Sequence, residues 1–218
     1  MLGLYAGIIP LLKTYASGKV LDAGCGTMPF YGYLKPFIEE YHSLDIQKRV
    51  PEVEFVSDLE NMQSVIYEDF DVVLCTEVLE HTPHPQIVLC EIWRILKSHG
   101  KIILSVPYLS RLHEEPFDYY RFTEHGLRLL LKENGFSVLE LNPTGSLFSF
   151  IGHQISTGII GSLWHFPVIK YLAFFLNAVV CTLPCYLLDK LPFLSKKFPL
   201  GYVLVAEKID ISQDEIIE

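Results

Sequence analysis

A short apolar strand that runs directly into a glycine turn constrains the fold of this chain most. The feature lies in the run Val20-Leu21-Asp22-Ala23-Gly24-Cys25-Gly26-Thr27. Because neither glycine has a side chain, the backbone can pass close beneath a ligand at this turn. A dinucleotide-binding turn needs a third glycine three residues after the second, and Pro29 occupies that position. Asp22 also places a carboxylate where a pyrophosphate would lie, so the turn favours a cationic ligand.

The rest of the chain alternates apolar strands with helices. Strands are predicted at 20–21, 41–45, 54–56, 71–75, 101–106, 137–141 and 202–207, and helices at 28–40, 85–97 and 123–134. The run 71–75 is apolar after its first residue, which is typical of a strand buried on both faces of a sheet. Thr123 is placed to cap the third helix, and Gly135 to end it. The alternation predicts an α/β fold with a doubly wound parallel sheet.

Three aspartates follow the ends of successive strands. Asp45 closes the second strand, 19 residues past Gly26, where a carboxylate accepts hydrogen bonds from a ribose diol. Asp58 follows the third strand, at a position that suits contact with an adenine amino group. Any one of these residues alone is most simply an ordinary loop aspartate. Asp22, Asp45 and Asp58 in this order behind a Gly-x-Gly turn predict a nucleoside site.

These motifs together resemble those of class I S-adenosylmethionine (AdoMet)-dependent methyltransferases of the small-molecule type, similar to the group called methyltransferase type 11. The matching runs are VLDAGCG, Asp45, SDLENM, FDVVLCTEVLEHTPHP and LKSHGKIILSVP. The resemblance covers residues 19–141 and the last strand. It implies a seven-stranded Rossmann-like sheet with an antiparallel last strand, and AdoMet as cofactor. It also implies a cofactor-binding set of Asp22, Ala23, Gly24, Cys25, Gly26, Asp45, Ile46, Asp58, Leu59, Cys75, Thr76 and Glu77.

The candidates for chemistry follow the fourth and fifth strands. Glu77, Glu80, His81 and His84 have the i, i+3, i+4, i+7 spacing of one helix face. Three interpretations stay open: local hydrogen bonding by His81, His81 as general base, and a Mg²⁺ site of two carboxylates and one histidine. We expect His81, Glu77 and His113 to be the catalytic residues, and we expect no metal.

The segment HEEPFDYYRFTEHGL resembles methyltransferases that occur with bacterial surface-glycan enzymes. Asp118 and Arg121 are expected to pair and fix this loop. Its aromatic residues have two equal interpretations, contact with a sugar or aromatic acceptor and packing of the loop. No Asn-Pro-Pro-Tyr or Asp-Pro-Pro-Tyr motif follows the fourth strand. An oxygen acceptor is therefore favoured over an amide or adenine nitrogen.

Residues 146–201 predict an apolar helical insertion between the sixth and seventh strands, with Lys170 as the one charged residue between Gly145 and Leu188. If strand six is parallel to its neighbours, the insertion emerges at the cofactor edge, as a lid, dimer contact or membrane-docking element. The stretch 171–188 is short for a bilayer span. Peripheral membrane contact is favoured because the flanking lysines suit anionic lipid. These lysines are Lys170, Lys190, Lys196 and Lys197.

Composition sets further limits. With 17 basic against 26 acidic residues, nucleic acid is not an expected partner. Five cysteines without a CxxC pair argue against a disulfide framework and indicate a reducing cytoplasm. The apolar start, residues 1–12, has no basic region or cleavage site and is interrupted by Pro10, so no secretory signal is expected.

Residues 1–145 and 202–209 are the predicted AdoMet-binding domain, and residues 210–218 are a predicted acidic tail.

The sequence therefore predicts an AdoMet-dependent methyltransferase with a small-molecule, glycan or lipid-linked acceptor, methylated at oxygen. The expected location is the cytoplasm, with peripheral contact to the membrane or a homodimer through residues 146–201. Three alternatives stay open. They are a quinone-like or aromatic acceptor, a catalytically inactive partner subunit with the methyltransferase fold, and an NAD-dependent dehydrogenase, which Pro29 disfavours.

Overall fold

The structure, a computed structural model, describes residues 2–163, 166–191 and 197–209. Its strands are β1 (Lys19–Ala23), β2 (Glu40–Asp45), β3 (Phe55–Val56), β4 (Phe70–Thr76), β5 (Leu96–Pro107), β6 (Phe136–Thr144) and β7 (Gly201–Lys208). Its α-helices are α1 (Leu2–Tyr15), α2 (Tyr31–Leu34), α3 (Pro85–Ile95), α4 (Glu124–Glu133), α5 (Leu147–Leu163), α6 (Pro167–Asn177) and α7 (Leu183–Leu188). A 3₁₀ turn covers Leu79–His81, and a π-helical turn, Ala178–Thr182, joins α6 to α7.

The strands form one sheet in the order β3-β2-β1-β4-β5-β7-β6. The pairs from β3 to β5 are parallel, and β7 lies antiparallel between β5 and β6. The doubly wound α/β sheet with an antiparallel last strand is therefore confirmed. The expectation that strand six has parallel neighbours is wrong, because β6 pairs with antiparallel β7. It still runs in the direction of β5, so its carboxyl end lies at the same edge.

Side chains of the central strands alternate between two hydrophobic cores. Val72 and Leu74 of β4 belong to the core that α1 covers, whereas Val73 and Cys75 belong to the core that α3 and α4 cover. All four side chains are at most 1% exposed. Burial on both faces explains why this run reads as continuously apolar. The two cores fix the carboxyl ends of the strands, where the candidate site lies.

Two helix predictions differ from the structure. Only Tyr31–Leu34 of the predicted helix 28–40 is helical. Lys35 still has helical backbone angles and donates to Tyr31 O at 2.9 Å, but Pro36 has no backbone N–H with which to continue the helical hydrogen bonds, so the helix ends there. Conversely, residues 2–15 form a helix that contains Pro10 and was not predicted. Tertiary packing stabilises it, since Ile8 and Leu12 are fully buried against the sheet.

The segment between β6 and β7 is helical, as predicted, and α5 packs on α6 and α7. The Asp189 carboxylate accepts hydrogen bonds of 2.9 Å from the backbone N–H groups of Ser146, Phe148 and Ser149. It therefore caps the start of α5 from the far end of the helical segment. The Lys170 side chain, Lys196 and the predicted acidic tail lie outside what the structure describes.

Candidate active site

A cavity of about 550 Å³ opens at the carboxyl edge of the sheet. The turn after β1, the segments after β2, β3 and β4, and the loop after β5 line it. In open α/β sheets, ligands bind outside the carboxyl ends of the strands, where the strand order reverses. The volume lies within the range of pockets for cofactors and small molecules.

The glycine turn forms one wall of this cavity. Gly24 N and Cys25 N both donate to Leu44 O, at 2.7 and 3.0 Å, which ties the turn to β2. Gly24 and Gly26 have φ angles of 79° and 55°. A Cβ at Gly24 would lie 2.4 Å from Val78, but a Cβ at Gly26 would meet no described atom within 4 Å. The backbone of Gly26 therefore faces open space.

Asp45, at the end of β2, is fixed against the turn. Its Oδ2 accepts a 2.9 Å hydrogen bond from Gly26 N, and its Oδ1 accepts one of 3.0 Å from Gln47 N. The carboxylate also lies 3.6 Å from Arg49 Nε. These contacts hold an acceptor group in a single orientation at the cavity wall. Asp45 is 5% exposed.

Asp22 lies beneath the turn and outside the described lining of the cavity. It is 1% exposed and accepts a 2.7 Å hydrogen bond from the Tyr41 hydroxyl. Burial raises the pKa of its carboxyl from 3.8 to about 7, against the opposing effect of the Tyr41 hydrogen bond. Asp22 can therefore gain or lose a proton near neutral pH.

The segments after β2 and β3 form a second wall. Asp58 and Leu59 line the cavity together with Ile46. The backbone N–H of Glu60 donates to Asp58 Oδ1 at 2.9 Å, which fixes the start of this loop. Ile46 is 61% exposed, a large fraction for an aliphatic side chain. This wall offers an apolar surface with one carboxylate beside it.

Glu77 follows β4 and has a φ angle of 52°. Its backbone N–H donates to Ser105 O at 3.0 Å, and its Oε1 accepts a 2.9 Å hydrogen bond from the Ser105 hydroxyl. Burial raises the pKa of Glu77. The predicted helix face of four residues is wrong, because the chain forms a tight turn here and α3 begins only at Pro85. His84 pairs with Glu60 instead, at 3.0 Å.

Glu80, His81 and His113 form a compact cluster beside Glu77. His81 Nε2 lies 3.2 Å from His113 Nε2, and Glu80 Oε1 lies 3.6 and 3.8 Å from these two nitrogens. Glu80 is fully buried, and burial raises the pKa of its carboxyl to about 9, with Glu77 adding to the rise. Of the three, His81 lines the cavity.

The loop after β5 docks on the turn after β4. Asp118 and Arg121 form the predicted pair, with two hydrogen bonds of 2.5 and 2.6 Å. The Tyr120 hydroxyl donates to Pro83 O at 2.8 Å, and its ring stacks on Phe122. These two aromatic residues therefore pack the loop, whereas Tyr119 lines the cavity.

The structure divides the predicted site residues into two groups. Those that line the cavity are Gly24, Gly26, Asp45, Ile46, Asp58, Leu59, Glu77 and His81. Those outside its described lining are Asp22, Ala23, Cys25, Cys75, Thr76 and His113. His113 reaches the site through His81, while the other five lie in or beneath the strand ends and support the wall.

Two further residues bear on the site: the sequence analysis assigns no role to Arg49, and it includes Phe117 only among the loop aromatics, with packing as one of two interpretations. Arg49 links the walls, since it lies 3.6 Å from Asp45 and 3.9 Å from Glu114. Its position four residues after Asp45 was the available signal. Phe117 lines the cavity, and its carbonyl accepts a 2.8 Å hydrogen bond from His81 Nδ1. The two residues are 36 positions apart in the sequence, so a local sequence pattern cannot predict their contact.

Comparisons with known proteins agree with this architecture. A family model described as "Methyltransferase domain" matches residues 4–141, more than half of the chain. The uncharacterized protein MJ0638 of Methanocaldococcus jannaschii is 34% identical over 166 residues, which cover 72% of each chain. The ubiquinone biosynthesis O-methyltransferase of Xanthomonas oryzae is 31% identical over 103 residues, 41% of this chain and 43% of that protein.

A solved structure also has this fold. It is the 1,6-didemethyltoxoflavin-N1-methyltransferase of Burkholderia thailandensis, described with 1,6-didemethyltoxoflavin and S-adenosylhomocysteine bound. The TM-score is 0.54 at 19% identity, and the superposition covers 93% of this chain and 75% of that one. The residues of the present cavity fit AdoMet, because Gly26 leaves space for a ligand and Asp45 presents a fixed acceptor at the position that suits a ribose. The chain thus belongs to the methyltransferase-domain family, as a class I methyltransferase with AdoMet as its cofactor.

Proposed function

We propose that this chain methylates an oxygen atom of a lipid-linked or glycan acceptor at the cytoplasmic face of a membrane. AdoMet-dependent methylation follows from the family to which the chain belongs. The acceptor, the oxygen atom and the membrane are the content of the proposal. The position of His81 in the cavity wall, with one ring nitrogen already bonded, is the observation that carries it.

In this proposal the cavity wall divides into three contacts with AdoMet. The backbone of Gly24 and Gly26 lies beneath the methionine part, and Asp45 accepts the ribose hydroxyls. Asp58 and Leu59 border the adenine. The exposed Gly26 backbone and the fixed Asp45 carboxylate support this orientation. Glu77 then lies toward the methionyl end.

The hydrogen bonds of His81 determine which ring nitrogen can take a proton. Phe117 O can only accept, so the 2.8 Å contact requires a proton on His81 Nδ1. In the neutral ring, Nε2 then holds the lone pair. We propose that Nε2 takes the proton of the acceptor hydroxyl, with His113 3.2 Å away to share it. When bound, AdoMet supplies a methyl group on a sulfonium, and the sulfur keeps the electron pair of the broken bond.

The exposed apolar helices support a membrane-bound acceptor. Tyr171–Leu188 has a mean hydropathy of 1.8 over 18 residues and is long and apolar enough to cross a membrane. Phe175 and Val180 within it are 65% and 71% exposed. The helical segment begins three residues after β6, at the edge that holds the cavity. Such a surface is suited to the boundary between lipid headgroups and acyl chains.

A quinone-like acceptor is the second candidate. The similarity to a ubiquinone biosynthesis O-methyltransferase favours it. The exposed Tyr119 and Phe117 at the cavity, 46% and 59% exposed, are suited to stacking on an aromatic ring. Both candidates combine an apolar anchor with a hydroxyl, so the same membrane surface serves either.

Calorimetry with AdoMet tests the first half of the proposal. Asp45→Ala should abolish measurable binding, because the ribose loses its acceptor and Gly26 N loses its partner. Asp69→Ala is the matched control. That aspartate pairs with Lys19 at the opposite edge of the sheet, so the variant should bind as the wild type does. Wild-type affinity in Asp45→Ala would disprove the ribose assignment, and a wild type that binds no AdoMet would disprove the function.

Transfer of a labelled methyl group tests the second half. The full chain is incubated with methyl-labelled AdoMet and, separately, membrane lipids, soluble glycans and a hydroxylated quinone. We expect label in the lipid fraction, and His81→Asn should lower that turnover by about 10²- to 10⁴-fold with AdoMet binding kept. Label only in the quinone supports the second candidate. Wild-type turnover in His81→Asn would contradict the role of His81.

A further inference from the structure

Glu80 is a buried carboxyl group whose side chain has no hydrogen-bond partner. It is 0% exposed, and both side-chain oxygens lack a partner among the described residues. Such an isolated buried polar group destabilises a fold relative to one that has a hydrogen-bond partner. Each exception in a native fold calls for a physical reason, and a bound ion is one of the few available. The groups nearest to Glu80 Oε1 that could share such an ion are the imidazoles of His81 and His113.

The two imidazoles next to Glu80 are held so that their lone pairs converge. Phe117 O accepts from His81 Nδ1 at 2.8 Å, which leaves the lone pair on Nε2. His113 Nδ1 lies 3.4 Å from both Arg111 O and Asp118 Oδ2, and the His113 backbone N–H donates to Asp118 at 2.8 Å. Its Nε2 is then the acceptor nitrogen too. At 3.2 Å, two unprotonated Nε2 atoms are favourable neighbours only when a proton or a metal cation lies between them.

The three inward-facing atoms have the spacing of ligands around one ion. Their separations are 3.2 Å between the two Nε2 atoms and 3.6 and 3.8 Å from these to Glu80 Oε1. A point equidistant from the three atoms lies about 2 Å from each, close to the usual zinc–nitrogen and zinc–oxygen bond lengths. The partners of the other ring nitrogens, a backbone carbonyl and a carboxylate, are those that orient metal-binding histidines.

We propose that Glu80, His81 and His113 bind a divalent transition-metal cation of the zinc class. Two imidazoles and one carboxylate suit zinc and its first-row neighbours, whereas Mg²⁺ prefers oxygen ligands and octahedral geometry. Three protein ligands leave a fourth position open, and His81 lines the cavity. This inference rests on the proposed function in one respect only, namely that the metal site lies beside the bound acceptor. A bound cation would engage the Nε2 lone pair of His81, so the proton transfer proposed above for His81 applies to the metal-free chain, and in the metal-bound chain the open position would polarise the acceptor hydroxyl instead.

Direct metal titration tests this inference without any methyl acceptor. The full chain is stripped with a chelator and titrated with Co²⁺, whose visible absorption reports a low-symmetry site, and then with Zn²⁺ in competition. We expect one site per chain and a rise in melting temperature with Zn²⁺. Glu80→Gln and His113→Asn should each weaken binding at least tenfold. Mg²⁺ at the same concentration should compete poorly.

His84→Asn is the matched control, because this nearby imidazole pairs with Glu60 and lies outside the cluster. It should bind Co²⁺ as the wild type does. Binding through cysteine would give an intense near-ultraviolet thiolate band and equal affinity in all variants, which would overturn the inference, as would no binding at all. In either case AdoMet calorimetry and methyl transfer still report independently on the proposed function. Circular dichroism verifies that each variant is folded.

Discussion

Gly24 and Gly26 share a positive φ angle but differ in what surrounds them. Gly26→Ala should cost only about 1–2 kcal/mol, the usual penalty of the left-handed conformation, because its Cβ meets no described atom. It should nevertheless weaken AdoMet binding, since the new methyl group points into space that the ligand needs. Gly24→Ala should cost more, because its Cβ would lie 2.4 Å from Val78. Urea denaturation and AdoMet calorimetry measure the two effects.

The comparison of these two variants provides its own control. A Gly26→Ala chain with wild-type AdoMet affinity would show that the ligand does not approach this backbone. Equal losses of unfolding free energy in both variants would show that Val78 moves aside without cost.

Asp22 makes the stability of the fold depend on pH. Its pKa rises from 3.8 to about 7 on folding, so the folded state holds a proton that the unfolded state releases between these values. The stabilisation is complete below about pH 4 and is lost as the pH rises to about 7, at up to about 1.4 kcal/mol per unit. Asp22→Asn cannot ionise, so its free energy of unfolding should fall less over this range than that of the wild type.

Urea titrations at pH 5 and pH 7.5 measure this difference. The carboxamide oxygen that Asp22→Asn introduces still accepts from the Tyr41 hydroxyl, so the hydrogen bond, 2.7 Å in the wild type, is retained in the comparison. Parallel pH profiles for the wild type and the variant would show that Asp22 ionises normally in the fold.

Sequence patterns identified some of these residues and not others, for a geometric reason. Gly24, Gly26 and Asp45 follow strand ends at fixed short distances, so local pattern places them at one edge of the sheet. The contact between His81 and His113 joins residues 32 positions apart, through a loop whose path depends on Asp118 and Arg121. The unpartnered state of Glu80 is visible only once burial is known.

Asp189, after the end of α7, caps the start of α5 and so links the two ends of the helical segment. Three backbone N–H groups at the start of α5 donate to its carboxylate, each at 2.9 Å. Asp189→Ala should remove this cap at a cost of about 0.5–2 kcal/mol, felt mainly within the segment. Hydrogen exchange should therefore rise in residues 146–150 while β4 and β5 stay protected. Glu133→Ala, at the end of α4, is a control that should leave exchange at α5 unchanged, and equal protection of α5 in both variants would argue against the cap.

At the level of elements, the strands were predicted better than the helices. Most residues of β1, β4 and β7 are apolar and buried on both faces of the sheet, so the pattern of these strands does not depend on distant contacts. The predicted helix 28–40 fails at Pro36, and α1 forms despite Pro10 because the sheet covers its apolar face. The helical spacing of Glu77 and His81 predicts a helix after β4, and this prediction is wrong. The positive φ of Glu77 breaks that periodicity.

At the level of the whole molecule, membrane binding should depend on the exposed face of α6 and the turn that follows it. Leu172, Phe175 and Val180 are 60–71% exposed there. Replacing all three by glutamine should lower partitioning onto phosphatidylglycerol-containing vesicles at least tenfold, since each loses about 1.5–3 kcal/mol of apolar burial. Vesicle sedimentation of the full chain measures the effect.

A triple glutamine variant on another surface serves as the control. Ile66, Leu129 and Leu139 are 46–69% exposed and belong to the loop before β4, to α4 and to β6. This variant should sediment with vesicles as the wild type does. A wild type that stays in the supernatant as a monomer would contradict the membrane hypothesis, and a wild-type dimer lost in the α6 variant would assign that face to a second copy of the chain.

The two ends of the helical segment leave the sheet side by side. Thr144 pairs with Gly201 across β6 and β7, and Leu200 N donates to Thr144 O at 2.8 Å. Because β6 and β7 are hydrogen-bonded to each other where the helical segment begins and ends, residues can be inserted into or deleted from that segment without a change of strand register. The length and sequence of the helical segment can therefore change in evolution while the strands that carry the nucleoside pocket stay intact.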